Sequence, residues 1–192
     1  MLSLIDVKNN SEYIDKTRVV YNEAFPPEER WNFDLTIENR ENFNYTFYSI
    51  VDDENNNFVG IVMIWTFDEF YYIEYIAIDK NLRGNNYGSK AISKVLDMLN
   101  DKFTVLEVEP YDLNEIAKKR IEWYKRFDFI LSDYEYNMPS IDKENKASTI
   151  KMQIMTNKEI KSKDEFDNIT KILIDNVYKP RLDNIAKWSK ID

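Results

Sequence analysis

The chain has no cysteine and no histidine, and only three glycines and five prolines in 192 residues. Without cysteine there is neither a disulfide framework nor a thiol nucleophile. Without histidine the usual neutral-pH base is missing, and with both residue types gone so are nearly all zinc ligand sets. Any catalysis must run on carboxylates, tyrosine, serine or backbone groups, and no metal is expected. The segment from Met1 to Phe25 carries charges throughout in place of an apolar leader. Nor does any stretch reach the roughly 18 consecutive apolar residues that a spanning helix needs. The expected address is the cytoplasm, with no membrane partner.

Positive charge is also in short supply. Lys and Arg number 26 against 35 Asp and Glu, a net charge of −9. That balance argues against a nucleic-acid partner and favours a cationic one. Apolar material is ample: 43% hydrophobic residues with 15% aromatics can fill a core, which excludes disorder as the main state. The length suits one domain plus an extension.

Leu2 to Val7 reads as a strand, and a helix from Asp15 places Val19, Val20, Ala24 and Phe25 on one side until Pro26 and Pro27 end it. Glu28 to Phe43 reads as a second, shorter helix after a loop, where a lid over a substrate could sit. Tyr45 to Val51, Phe58 to Trp65 and Phe70 to Ile78 form three neighbouring strands expected to pair antiparallel, the middle one apolar on both faces. A helix then carries Ala91, Ile92, Val95, Leu96 and Leu99, followed by a strand from Phe103 to Val108. Asp112 with Glu115 has the spacing of a capping box, opening a helix with Leu113, Ile116, Ile121, Tyr124 and Phe127 on one face. Strands are expected at Ile130 to Asn137 and Ser148 to Met155, joined by the polar loop Ser140 to Lys146. Ser162 with Glu165 makes a second capping box, and the last helix shows Phe166, Ile169, Leu173 and Val177 until Pro180. The order predicts an α/β fold: a mixed, mostly antiparallel sheet of about seven strands flanked by helices, with a C-terminal helix. The domain expected is 1–157, with 158–192 a helical extension packed on it or on a second subunit.

Two of the three glycines, Gly84 and Gly88, fall in one short turn between a strand and a helix. Such a turn leaves N–H groups unpaired at the positive end of a helix dipole, which suits phosphate. Gly88 would let the backbone approach a ligand with no Cβ in the way. The same spacing also fits an ordinary strand-to-helix turn.

The segment Ile76 to Ala91 resembles the coenzyme A signature of the GNAT superfamily of N-acetyltransferases: a strand, then Arg or Gln, two residues, Gly, one residue, and Gly or Ala. Here the six positions read Arg83, Gly84, Asn85, Asn86, Tyr87 and Gly88, with Asn86 where the family has Gly. A second stretch, from Arg120 to Phe129, is similar to the family's later helix and the Tyr…Gly-Phe motif at its end; Asp128 replaces that glycine, and Ala117 stands where many members carry Asn. The element order from Leu2 to about Met155 is also the family's.

The resemblance implies a GNAT-like domain and direct transfer from acetyl-CoA, as co-substrate, to an amine of a small molecule or peptide, in a monomer or homodimer. It further implies that the backbone of Ile76, Ala77 and Ile78 pairs with the pantetheine arm, and that the N–H groups of Arg83, Gly84, Asn85, Asn86, Tyr87, Gly88 and Ser89 hold the pyrophosphate. Tyr124 would protonate the departing thiolate, although its place on an apolar stripe also suits core packing. The candidate bases are Glu74, Glu107 and Glu109, each in an apolar strand; Glu107 resembles a base position in some peptide-acetylating members. A structural carboxylate with a water chain as base, transfer of another acyl group, and a degenerate GNAT-like module that binds CoA or another ligand without turnover are the alternatives.

Overall fold

The computed structural model describes residues 1–8, 11–39, 42–100, 102–141 and 148–188. It divides into two compact units, Met1–Pro26 with Phe33–Thr104, and Pro27–Asn32 with Val105–Asp192.

In the first unit, β1 (Leu2–Asp6), β2 (Tyr45–Asp52), β3 (Asn57–Thr66) and β4 (Tyr71–Ile78) form an antiparallel meander. Every residue of β3 from Phe58 to Trp65 is buried, so this apolar strand is covered on both faces as its composition requires. α1 (Ile14–Ala24) buries Thr17, Val20 and Tyr21, while Val19 is 54% exposed, a departure from the expected stripe. The Tyr21 ring explains that rotation: it anchors the helix edge-on to Tyr75 of β4 at 5.0 Å and to Phe47 of β2 at 5.9 Å. α2 (Phe33–Glu38) is the short helix expected between Glu28 and Phe43; residues 40 and 41 of that segment lie outside the described residues. α3 (Tyr87–Leu99) buries Ala91, Ile92, Val95 and Leu99.

In the second unit β8 (Thr149–Thr156) is the organising strand. It pairs antiparallel with β5 (Thr104–Val108), β6 (Ile130–Leu131) and β7 (Tyr136–Pro139). The single strand expected over Ile130 to Asn137 is thus two, because the Ser132 Oγ accepts the Tyr134 N–H at 3.2 Å and bends the chain between them. That break brings the described strands to eight. Residues 142–146 of the loop expected at Ser140 to Lys146 lie outside the described residues.

α4 (Glu115–Lys125) starts at a different cap from the one expected. Asn114 Oδ1 accepts from the N–H groups of Ile116 and Ala117 at 2.9 and 2.8 Å, so Asp112 is not the N-cap. The buried face is correspondingly Ala117, Ile121 and Tyr124, while Leu113 and Ile116 are 57% and 69% exposed. The second expected box holds in its Ser162 half: Ser162 Oγ accepts the Glu165 N–H at 3.2 Å, while Glu165 Oε2 takes the N–H of Lys161, one residue before the N-cap, at 2.7 Å. It opens α5 (Lys163–Ile172), whose Phe166 packs on Tyr134 at 5.0 Å.

Pro180 does not end this helix. Leu173–Tyr178 winds in the wider π register, and Pro180 sits in the first turn of α6 (Lys179–Leu182). A proline ring clashes with the carbonyl four residues before it in a regular helix, and the π turn opens the helix there. α7 (Ile185–Trp188) closes the described chain. Its Trp188 carbonyl accepts the Asn32 N–H at 2.7 Å, and the fully buried Arg181 guanidinium lies 5.0 Å from the Trp31 ring and 5.6 Å from that of Trp188. Among the described residues no helix is long and apolar enough to cross a membrane.

Candidate functional site

The last residues of β4 are held against β3 by a ladder that is irregular on the β4 side. Met63 pairs with Tyr75 and Ile64 with Ile73, so Glu74 is the extra residue of a β-bulge. Its Oε2 accepts the indole N–H of Trp65 at 2.6 Å. Further along, Ile76, Ala77 and Ile78 pair with Val62, Ile61 and Gly60 and are half-buried. A Cβ on Gly60 would meet the Ala77 carbonyl oxygen at 2.2 Å, so only glycine permits this approach. The Val59 carbonyl then accepts the Asp79 N–H at 2.9 Å, which fixes where the turn departs.

The turn is organised from within. Asp79 Oδ1 accepts the Asn81 N–H at 2.8 Å, and Arg83 Nε donates to the Ile78 carbonyl at 3.2 Å. Gly84 and Asn86 both have positive φ, 84° and 61°, and Asn86 is the residue that enters α3. Asparagine is among the few side chains that tolerate this region, which is why Asn86 can take this conformation without being glycine. Gly88, by contrast, lies inside the first turn of the helix. No acceptor among the described residues takes the N–H groups of residues 83–89. These donors sit at the amino end of a helix, on a segment that alternates handedness, which is the geometry of an anion nest. Tyr87 anchors the end by donating its phenol to Asp52 Oδ2 at 2.9 Å. Asp52 is held below the usual carboxylate range, first by the Glu54 N–H and then by this phenol, and Tyr87 is raised in return. An open groove of about 370 Å³ follows α3 from Asn86, lined by Ser89, Lys90, Ser93 and Lys94.

In the second unit, the Tyr…Asp-Phe stretch is a helix C-cap. Phe129 N–H donates to the Tyr124 carbonyl at 3.4 Å and Asp128 N–H to that of Lys125 at 3.1 Å, with Asp128 at φ 62°. This is a Schellman motif, completed by the packing of the Phe129 ring on Tyr124 at 5.7 Å. Tyr124 is buried, and burial pushes its phenol up to about 12 against the opposing influence of Arg120. Ala117, one of the departures from the family pattern, is a fully buried wall residue on the same face.

The three candidate carboxylates differ in their surroundings, and only Glu74 and Glu107 lie in strands, since β5 ends at Val108, one residue before Glu109. Glu109 forms an ion pair with Arg120 at 2.7 Å near the surface. Glu74 stays with the indole of Trp65. Glu107 is half-buried and accepts the Tyr178 hydroxyl, with the buried phenol of Tyr136 also beside it. Ile76 to Ile78, the turn and Glu74 therefore belong to the first unit, and Tyr124 and Glu107 to the second. Gly60, Asn114 and Tyr178 were not singled out from the sequence. Gly60 alone carried a signal, as the one glycine outside the turn, in the strand that precedes β4.

The profile described as "Acetyltransferase (GNAT) family" matches residues 11–129. A curated protein of Bacillus subtilis (strain 168), "Putative acetyltransferase YjbC", is 36% identical over 70 residues, 36% of this chain and 35% of the relative, so the match spans about a third of that protein's length. A solved structure from Bacteroides thetaiotaomicron, "Putative acetyltransferase from GNAT family", superposes with a TM-score of 0.81 at 26% identity, over 93% of this chain and 98% of that one. Arabidopsis thaliana Naa50, solved in complex with the bisubstrate analogue CoA-Ac-MVNAL, shares the fold at a TM-score of 0.57 and 17% identity, covering 83% of this chain and 99% of its own.

Proposed function

The chain belongs to the GNAT acetyltransferase family, and on that premise we propose that it transfers an acetyl group from acetyl-CoA directly to a primary amine of a small molecule or peptide, with no acyl-enzyme. The observation that carries this reading is the turn. A run of N–H donors without protein acceptors, bent by positive φ at Gly84 and Asn86, fits a pyrophosphate. The half-buried backbone of Ile76 to Ile78 would hold the pantetheine arm as an added strand, and Lys90 and Lys94 offer charge along the groove. When bound, acetyl-CoA supplies the activated acyl group.

This chain's residues handle the protons. Glu107 accepts a proton from the acceptor ammonium, which frees the nitrogen lone pair. As the N–C bond forms and the C–S bond breaks, Tyr124 donates its phenol proton to the departing sulfur, the second proton that the nitrogen sheds on becoming an amide returns to the Tyr124 phenolate, and Glu107 later gives its proton to solvent. Burial keeps the Tyr124 phenol protonated through the neutral range, and the same burial would raise the proton affinity of a thiolate beside it. Glu74 is the alternative acceptor. Net negative charge favours a cationic amine.

Calorimetry with acetyl-CoA and with CoA tests the first half, and a CoA-release assay against panels of amines and peptide N-termini tests the second. Tight binding with release above background for at least one amine is expected. Absence of binding overturns the phosphate cradle. Binding without release from any amine assigns the chain to ligand binding instead.

A further inference from the structure

The C-terminal helix reaches the carboxylate assigned above as proton acceptor. Leu173–Tyr178 winds in the π register, and its Leu173, Val177 and Tyr178 are all buried. From this turn the Tyr178 hydroxyl donates a hydrogen bond to Glu107 Oε2. From β7, the buried phenol of Tyr136 stands beside the same carboxylate, and burial together with the Glu107 charge holds that phenol well above its ordinary value. On β8 the residue paired with Glu107 is Ile154, which is apolar. Two phenols thus face Glu107, Tyr136 from β7 and Tyr178 from the π turn. Both lie beyond residues 11–129, the span of the family match.

We propose that Tyr178 is a positioning residue for the acetyl transfer, one that fixes the orientation of the Glu107 carboxylate and favours its ionised, proton-accepting form. The proposal rests on the acetyltransferase reading with Glu107 as acceptor. Tyr178 keeps its own proton throughout: the proton taken from the ammonium resides on Glu107, and the one given to sulfur comes from Tyr124. A half-buried carboxylate that loses a donor holds a proton more readily, and once protonated it cannot accept another. A phenol that donates to it supplies the missing stabilisation of the charge.

The test is Tyr178→Phe, which keeps the ring and removes the donor. In the full chain, with the acceptor amine found by the release assay, the acid limb of the kcat/KM profile is expected to move to higher pH by about one unit, with rates converging at high pH. Glu107→Gln should abolish the limb. Incorporation of 3-fluorotyrosine at position 178, a stronger donor of nearly the same shape, should move the limb to lower pH, and it serves as the second variant if Tyr178→Phe does not fold. A uniform loss at every pH, or an unmoved limb, overturns the proposal and leaves Tyr178 a packing residue. A carbon-13 titration of the glutamate carboxyls, with the Glu107 resonance identified by its absence in Glu107→Gln, reads the pairing without turnover. A midpoint that does not rise in Tyr178→Phe overturns the pairing. Failure of the unmodified protein to acetylate any amine, with the midpoint still rising, overturns the acetyltransferase reading and with it the catalytic role, while the contact itself stands.

Discussion

Gly60 lies directly against Ala77: a Cβ built on Gly60 would stand 2.2 Å from the Ala77 carbonyl oxygen and 3.0 Å from the Ile78 Cα. Both contacts are to backbone, so neither can be relieved by a side-chain rotation. Gly60→Ala must push β4 away at the residues proposed to pair with pantetheine. We expect a loss of stability of about 1–3 kcal/mol, as for overpacking a well-filled interior, together with weaker acetyl-CoA affinity. Thermal unfolding and calorimetry check the two effects. An Ala variant of unchanged stability and affinity would show that β4 yields freely and that its path does not matter.

The turn makes a different prediction, because its strain is in the backbone. Asn86 holds φ 61° where the family has glycine. Asn86→Gly should therefore keep or improve CoA binding. Asn86→Val places a β-branched side chain in the left-handed region and should cost about 1–2 kcal/mol, with at least a tenfold loss in CoA affinity. If Asn86→Gly loses affinity strongly, the amide itself contacts the ligand.

The start of α4 distinguishes two caps. Asn114 Oδ1 takes two N–H groups of the first turn, and Asp112 takes no part in the N-cap. Asn114→Ala should destabilise the protein by about 1 kcal/mol, and Asp112→Ala by much less. Denaturant unfolding of the two variants decides it, and the reverse ranking would restore the capping box at Asp112 and Glu115.

That misplaced cap shows what was legible in the sequence and what was not. The strands β2 to β4 could be read because their patterns are set by burial on the sheet, and α3 and α5 because their apolar spacing and, for α5, the Ser162 cap agree. At α4 the capping-box spacing points to Asp112, whereas the cap is Asn114 two residues on, and the buried face accordingly holds Ala117 instead of Ile116. Pro180 read as a stop because its local rule is strong; a π turn, which has no sequence signature, overrode it. The candidate site was legible where it is local, in the turn from Arg83 to Ser89 and in the Tyr124 to Phe129 cap. Tyr178 could not be found, since its hydrogen bond to Glu107 spans 71 residues and no spacing records it.

Tyr124 combines a structural and a chemical role, and pH separates them. Its phenol is raised from 10.0 to about 12 by burial. The folded state therefore holds the proton more tightly than the unfolded chain, so this contribution to stability is complete below pH 10 and is lost as pH rises through about 12. A displacement of about two pH units corresponds to roughly 2–3 kcal/mol. Tyr124→Phe keeps the ring that packs on Phe129 but has no proton to lose. Between pH 9 and 11.5 the unmodified protein should lose more stability than the variant, and the Tyr136 contribution, common to both, cancels in the difference. At neutral pH the same substitution should leave acetyl-CoA affinity almost unchanged and lower kcat by about 10² to 10⁴, as expected when only a transferable proton is removed. Denaturant midpoints across pH, with kinetics on an accepted amine, check both arms. A variant with full kcat would reduce Tyr124 to a core residue that closes the helix cap, and the thiolate proton would then have to come from another group.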